Sequence, residues 1–213
     1  LRKFLVLPLS YISIIYLFFN ILWGLNYSRE HLHTTLNLEL NEVENNDLLL
    51  LSNKLVDACN KSRKEINVSA DTSLELSWKN GAYFSLAISA FENLSDKQSA
   101  FEIKRPSVKS VAIPQLMSIA GIGGIYFPFT GEANVNMHQP DFKLPFTICH
   151  EMAHQAGFAS ETEANFIAYL ACRESKEPVF NYSGHFSAMR YALNALHRAD
   201  SSAFNETIVK LDK

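Results

Sequence analysis

Between Lys3 and Arg29 the chain carries no charged residue, and Phe4 to Trp23 is apolar and aromatic except at Pro8, Ser10, Ser13 and Asn20. Coiled as a helix, that run spans about 30 Å, the thickness of a bilayer's hydrocarbon core. Tyr11, Tyr16, Trp23 and Tyr27 supply aromatics of the kind found at membrane interfaces. A cleaved signal peptide fits less well, because NILWGLNYS (Asn20 to Ser28) offers no small-residue cleavage site. Buried soluble helices seldom run this far without a charge. We therefore expect residues 1–28 to form a transmembrane helix with its flanks, and membrane lipid to be a partner. Arg2 and Lys3 set its start inside under the positive-inside rule, and Arg29 alone opposes them, so residues 29–213 are expected on the extracytoplasmic side. The chain begins with Leu1; we read it as a fragment that opens on the last of several membrane helices, with its C-terminal end open to truncation.

The remaining residues suit one well-cored domain. A net charge of −3 and the lack of any basic run give no reason to expect nucleic acid as a partner. Cys59, Cys149 and Cys172 form no CxxC pair and are too few for a disulfide framework, so buried apolar roles fit them best. Apolar residues recur at helical spacing over Asn41 to Ile66 (Val43, Leu48, Leu51, Leu55, Val56, Cys59) and over Leu74 to Leu94 (Trp78, Tyr83, Phe84, Ala87, Phe91). Prolines 106 and 114 and glycines 121, 123 and 124 then end the helical pattern. Ile125-Tyr126-Phe127 reads as a short strand that Pro128 confines to an edge, followed by a turn and a second extended piece. Helices are expected over Pro145 to Ala156, Glu161 to Arg173, Gly184 to His197 and Ala203 to Leu211. The expected fold is mainly α (α+β): a membrane helix, then a helical zincin-like domain with a small sheet or hairpin ahead of its key helix.

That key helix contains His150-Glu151-Met152-Ala153-His154, an HExxH motif. Residues four apart on a helix lie one above the other, so both imidazoles face one ion. Zinc accepts imidazole nitrogen and, with three protein ligands, keeps a position open for water. Glu151 beside that position takes a proton from the water and later delivers it to the leaving amine. Phe146, Ile148, Cys149, Met152 and Ala153 are uncharged, and three ionisable groups on so apolar a helix are costly without a shared role. Gly157 stops the helix in the C′ position.

A third histidine at metzincin spacing falls on Ser160, so the third ligand is expected to be a glutamate from the next helix. Ser160 and Glu163 form an SxxE capping box, which occupies Glu163 and frees Glu161 for the metal. Glu161 is the expected ligand, with Glu163 the alternative.

HExxH followed by a helix bearing ExxxD resembles the gluzincin peptidases, thermolysin-like and membrane-bound enzymes among them. The resemblance implies Glu161 as zinc ligand and a residue at position 165 that orients a ligand histidine. Asn165 stands there instead of aspartate, and it accepts a hydrogen bond without supplying a charge. WGLNYSR (Trp23 to Arg29), GIYFPFTGEANVN (Gly124 to Asn136) and LPFTICHEMAHQAGFASETEANFIAYLAC (Leu144 to Cys172) are also similar to an uncharacterised bacterial membrane family, a domain of unknown function with several helices ahead of an HExxH domain. That similarity implies a bacterial inner-membrane protein and supplies no substrate.

Other residues are weaker candidates. Glu132, Asn134 and Asn136 alternate, so an extended segment turns them to one face, towards substrate or towards solvent. Tyr126, Tyr182, His185, Arg190 and Tyr191 are candidates for stabilising an oxyanion opposite the metal. His31, His33, His138 and His197 lack partners at ligand spacing and are expected on the surface. The expected activity is a membrane-anchored zinc metallopeptidase with one Zn2+, acting on a peptide or protein substrate. The competing expectation is a zinc-binding membrane sensor or scaffold with little or no hydrolytic activity.

Overall fold

Helix α1 (Arg2–Leu22) takes up the uncharged N-terminal run. The computed structural model describes residues 2–66 and 82–212, with side chains from Val6 onward. Val6, Leu9, Ile12, Ile15 and Phe18, which together circle α1, are each more than half exposed. Ser10, Ser13 and Asn20 return their side-chain donors to carbonyls one turn earlier, so these polar residues are satisfied within the helix. Among the described residues no helix is long and apolar enough to cross a membrane. The transmembrane span expected over residues 1–28 is therefore not supported as a span: the segment is a helix that ends at Leu22 and passes into a 3-10 turn over Gly24–Ser28.

The rest is mainly helical around a small sheet: α2 (Leu32–Thr35), α3 (Asn45–Glu65), α4 (Ala82–Lys97), β1 (Val108–Ser110), α5 (Pro114–Ile119), β2 (Gly124–Phe127), β3 (Glu132–Val135), α6 (Leu144–Gln155), α7 (Glu161–Glu174), α8 (Pro178–Ala199) and α9 (Ser201–Ile208). The sheet order is β1-β3-β2, with β2 antiparallel and β1 parallel to β3. β2 therefore lies at an edge, as Pro128 requires.

Ala133 and Val135 turn one face of β3 into the core, where they meet Ile148, Cys149, Met152 and Ala153 of α6. Ile167, Ala168, Ala171 and Cys172 of α7 close the other side. Small residues there let α6 and α7 approach closely. A second cluster joins Leu55, Val56 and Cys59 of α3 to Met189, Ala192 and Leu193 of α8.

Several boundaries differ from the sequence reading. Helix α3 starts at Asn45, leaving Val43 outside it and exposed, and Leu51 points outward. The first part of the helix expected over Leu74 to Leu94, including Trp78 and Gly81, lies outside the described residues. Helix α8 begins at Pro178 instead of Gly184, because proline suits a first helical turn. Strand β1 and helices α2 and α5 are short elements whose local pattern gave no signal.

Candidate metal centre and catalytic site

Helix α6 ends in a Schellman turn: Gly157 N–H donates to the His154 carbonyl at 2.9 Å and Phe158 N–H to the Ala153 carbonyl at 3.2 Å. Gly157 has φ +89°, a conformation glycine adopts freely. The chain then reverses into α7, whose N-cap Ser160 accepts from Glu163 N–H. This reversal brings the first residue of α7, Glu161, across the face of α6 that bears both histidines.

His150 Nε2 lies 3.1 Å from His154 Nε2 and 3.2 Å from Glu161 Oε2, and His154 Nε2 lies 3.5 Å from Glu161 Oε1. One ligand atom from each residue falls within 4.8 Å of the others, and this triad could hold a metal ion. Its donors fit that role. His154 Nδ1 sits 2.7 Å from the Phe158 carbonyl, which only accepts, so Nδ1 carries the proton and Nε2 turns a lone pair to the cluster. Burial and then the neighbouring His154 lower the pKa of His150, while Glu161 and Asn165 pull it back up. A neutral imidazole, the form that ligates metals, is favoured.

Residues 161 and 163 point about 200° apart around α7, whereas 161 and 165 differ by only about 40°. Asn165 consequently shares the Glu161 face and reaches His150, while Glu163 faces elsewhere. The reciprocal half of the expected capping box is not made. Instead the Glu163 carboxylate accepts from Leu32 N–H at 2.7 Å and lies 3.5 Å from His31 Nδ1. Glu163 is structurally occupied, by the first turn of α2.

The Glu151 side chain packs against β2, lines the same space as the triad and is only 5% exposed. Burial, followed by the negative Glu161, pushes its pKa up to about 8, and the Tyr126 backbone N–H acts in the opposite direction. Contact with β2 depends on Gly124, where an added Cβ would come within 2.6 Å of Glu151 Cγ.

A cleft of about 450 Å³ opens over this group, lined by β2 and, on the α1 side, by Phe19 and Trp23. The Trp23 ring sits 4.9 Å from Tyr126 and 5.7 Å edge-on from His154. Arg29 donates to the carbonyls of Ala156 at 2.8 Å and Ala100 at 3.3 Å, and its guanidinium lies 3.9 Å over the Phe158 ring. It places a cation at the C-terminal end of α6, where the helix dipole favours one. Trp23, Arg29 and Gly124 were not among the sequence candidates for the site. The runs that hold them, WGLNYSR and GIYFPFTGEANVN, carried a family resemblance but no assigned role.

Of the other candidates, the structure brings Tyr126 and Tyr191 to the site. Tyr126 lines the main cleft, and Tyr191 lines a side opening with His150, Glu151 and Asn165. Burial raises the pKa of Tyr126, which keeps its phenol a donor. Glu132 pairs with Lys109, and Asn134 bonds back to the Glu132 carbonyl. Both lie on the sheet face opposite Ala133 and Val135, and hence away from α6. Asn136 breaks the alternation: it is buried and bonds Ser118, the Ile122 carbonyl and His138 N–H, tying the loop after α5 to the strand end. His185 meets Ser62 and Tyr169, Tyr182 packs on Phe142 and Phe186, and Arg190 is exposed.

The chain belongs to a family described as a protein of unknown function (DUF3810), which it matches over residues 1–213. Comparison with curated proteins and with solved structures gives no match. The family description states no activity.

Proposed function

We propose that this member of the DUF3810 family is a membrane-anchored zinc metallopeptidase, in which His150, His154 and Glu161 hold one Zn2+ and Glu151 is the general base. The observation that carries the reading is the convergence of two imidazole nitrogens and a carboxylate at 3.1 to 3.5 Å, beside a buried carboxylate with no ion pair among the described residues. Ligands about 2.1 Å from a tetrahedral zinc stand roughly 3.4 Å apart, so the donor set fits that ion with little rearrangement. When bound, zinc supplies Lewis acidity that makes water nucleophilic at neutral pH and polarises the scissile carbonyl.

Glu151 suits proton transfer because its environment lifts its pKa towards the working range, and a nearby cation favours its ionised form. It takes the proton from attacking water and passes it to the departing amine nitrogen. The phenols of Tyr126 and Tyr191, which line the cleft and its side opening, are available to donate to a developing oxyanion. Asn136 N–H donates to the Gly123 carbonyl, and alternation along the ladder then turns the backbone groups of Gly124 and Tyr126 away from β3. An extended peptide pairing with that edge, where the Tyr126 N–H already serves Glu151, runs past Glu151 and the triad.

Anchoring by α1 is supported by its exposed apolar surface, which suits lipid better than water. Arg2 and Lys3 orient the domain to the extracytoplasmic side of a bacterial inner membrane. The test is Glu151→Gln in the zinc-loaded protein, assayed on a broad peptide library. The variant should keep stoichiometric zinc and lose about 10²- to 10⁴-fold in turnover. Wild-type turnover in the variant refutes the assignment of the base, and zinc binding without turnover in the wild type establishes the sensor or scaffold reading.

A further inference from the structure

The end of α1 is part of the cleft wall. Phe19, in the last turn of α1, and Trp23, just after it, line the same space as His150, Glu151 and His154. Four helical residues rise about 6 Å. The reaction centre therefore lies within about one or two helical turns of the point where the apolar helix stops. On the far wall, the outward face of β2 and its turn carries Ile125, Phe127 and Phe129, which are 49%, 45% and 43% exposed, with the two phenylalanine rings 5.5 Å apart. Leu25 and Tyr27 beside Trp23 are exposed as well. Aromatic and aliphatic side chains on both rims of one cleft, continuous with an all-round apolar helix, match the composition of a membrane interface and are costly facing water.

We infer that the cleft works at the bilayer surface and takes as substrate the extended juxtamembrane segment of another membrane-anchored polypeptide; this rests on the metallopeptidase reading and on α1 as the anchor. An extended chain advances about 3.3 Å per residue. A centre this close to the hydrocarbon boundary cuts within about five residues of the end of a substrate's membrane helix.

Two measurements on the full chain in phosphatidylcholine vesicles test this. In the first, the zinc-loaded protein is given a transmembrane helix followed by a repeated cleavable peptide, and cuts are mapped by mass spectrometry alongside the same peptide free in solution. Cuts confined to the first five or so residues, at least tenfold faster than in the free peptide, support the inference. Cuts spread evenly along the repeat, or equal rates on the free peptide, overturn it and leave the peptidase reading standing. No cut in either substrate overturns the peptidase reading and the inference with it. In the second, Trp78→Phe leaves Trp23 as the one tryptophan, and its fluorescence is followed with brominated lipids. Strong quenching by bromine near the headgroups supports the inference; quenching by none of the lipids refutes the anchor.

Discussion

Replacing Gly124 by alanine puts one methyl group into the contact between β2 and the proposed base. That methyl would come within 2.6 Å of Glu151 Cγ and Oε1 and 2.8 Å of Cδ. Carbon atoms pack at about 3.5 Å, so the Glu151 side chain has to retreat by roughly 1 Å. It has little room to do so, because it is 5% exposed. A misplacement of about 1 Å at a reacting group costs on the order of 100-fold in rate, while overpacking of one methyl costs about 1 to 3 kcal/mol in stability. None of the three triad residues meets the added atom at the three closest contacts, so zinc affinity should change by less than about threefold on this reasoning. The assay pairs kcat/KM on a cleaved peptide with zinc titration and urea unfolding of Gly124→Ala. A variant that keeps wild-type kcat/KM refutes the argument that β2 positions the base, and one that loses zinc as fully as His150→Ala refutes the separation of the base from the metal ligands.

Two further outcomes follow from the same geometry. Arg29→Ala removes the charged cap on the Ala156 carbonyl and the cation over Phe158, and should destabilise the metal-free protein by about 1.5 to 3 kcal/mol in urea unfolding, with Arg29→Lys restoring only part. In the chelated protein, the raised pKa of Glu151 means that the folded state holds a proton the unfolded state has released. Folded stability contributed by this group is therefore full at and below the ordinary carboxyl range and falls as pH rises to about 8, by up to about 1.4 kcal/mol per pH unit; Glu151→Gln should flatten that slope in pH-dependent thermal unfolding.

Much of the site was legible because its parts are local. HExxH puts His150 and His154 on one helical face, Gly157 ends α6, and Ser160 starts α7, so the placement of Glu161 follows from a reversal of a few residues. Glu161, not Glu163, joins the two histidines in the triad that could hold a metal, and the cause is the angular separation on α7 and the grip of Leu32 on Glu163, not the reciprocal capping box. The edge position of β2 was likewise readable from Pro128. What escaped depends on residues far apart in the chain. Arg29 meets Ala156 across 127 positions, and Gly124 matters only because Glu151 packs against it. Nor could alternation alone tell which face of β3 looks at α6; the burial of Ala133 and Val135 decides that, and it sends Glu132 and Asn134 away from the site.

Elemental analysis of the purified chain addresses the metal centre most directly, run beside His150→Ala, Glu161→Ala and Glu163→Ala. A zinc held by His150, His154 and Glu161 gives one zinc per chain in the wild type and in Glu163→Ala, with loss in His150→Ala and Glu161→Ala. A wild-type chain that purifies without stoichiometric metal and takes up none on titration, or a His150→Ala variant that retains it, rules out this metal centre.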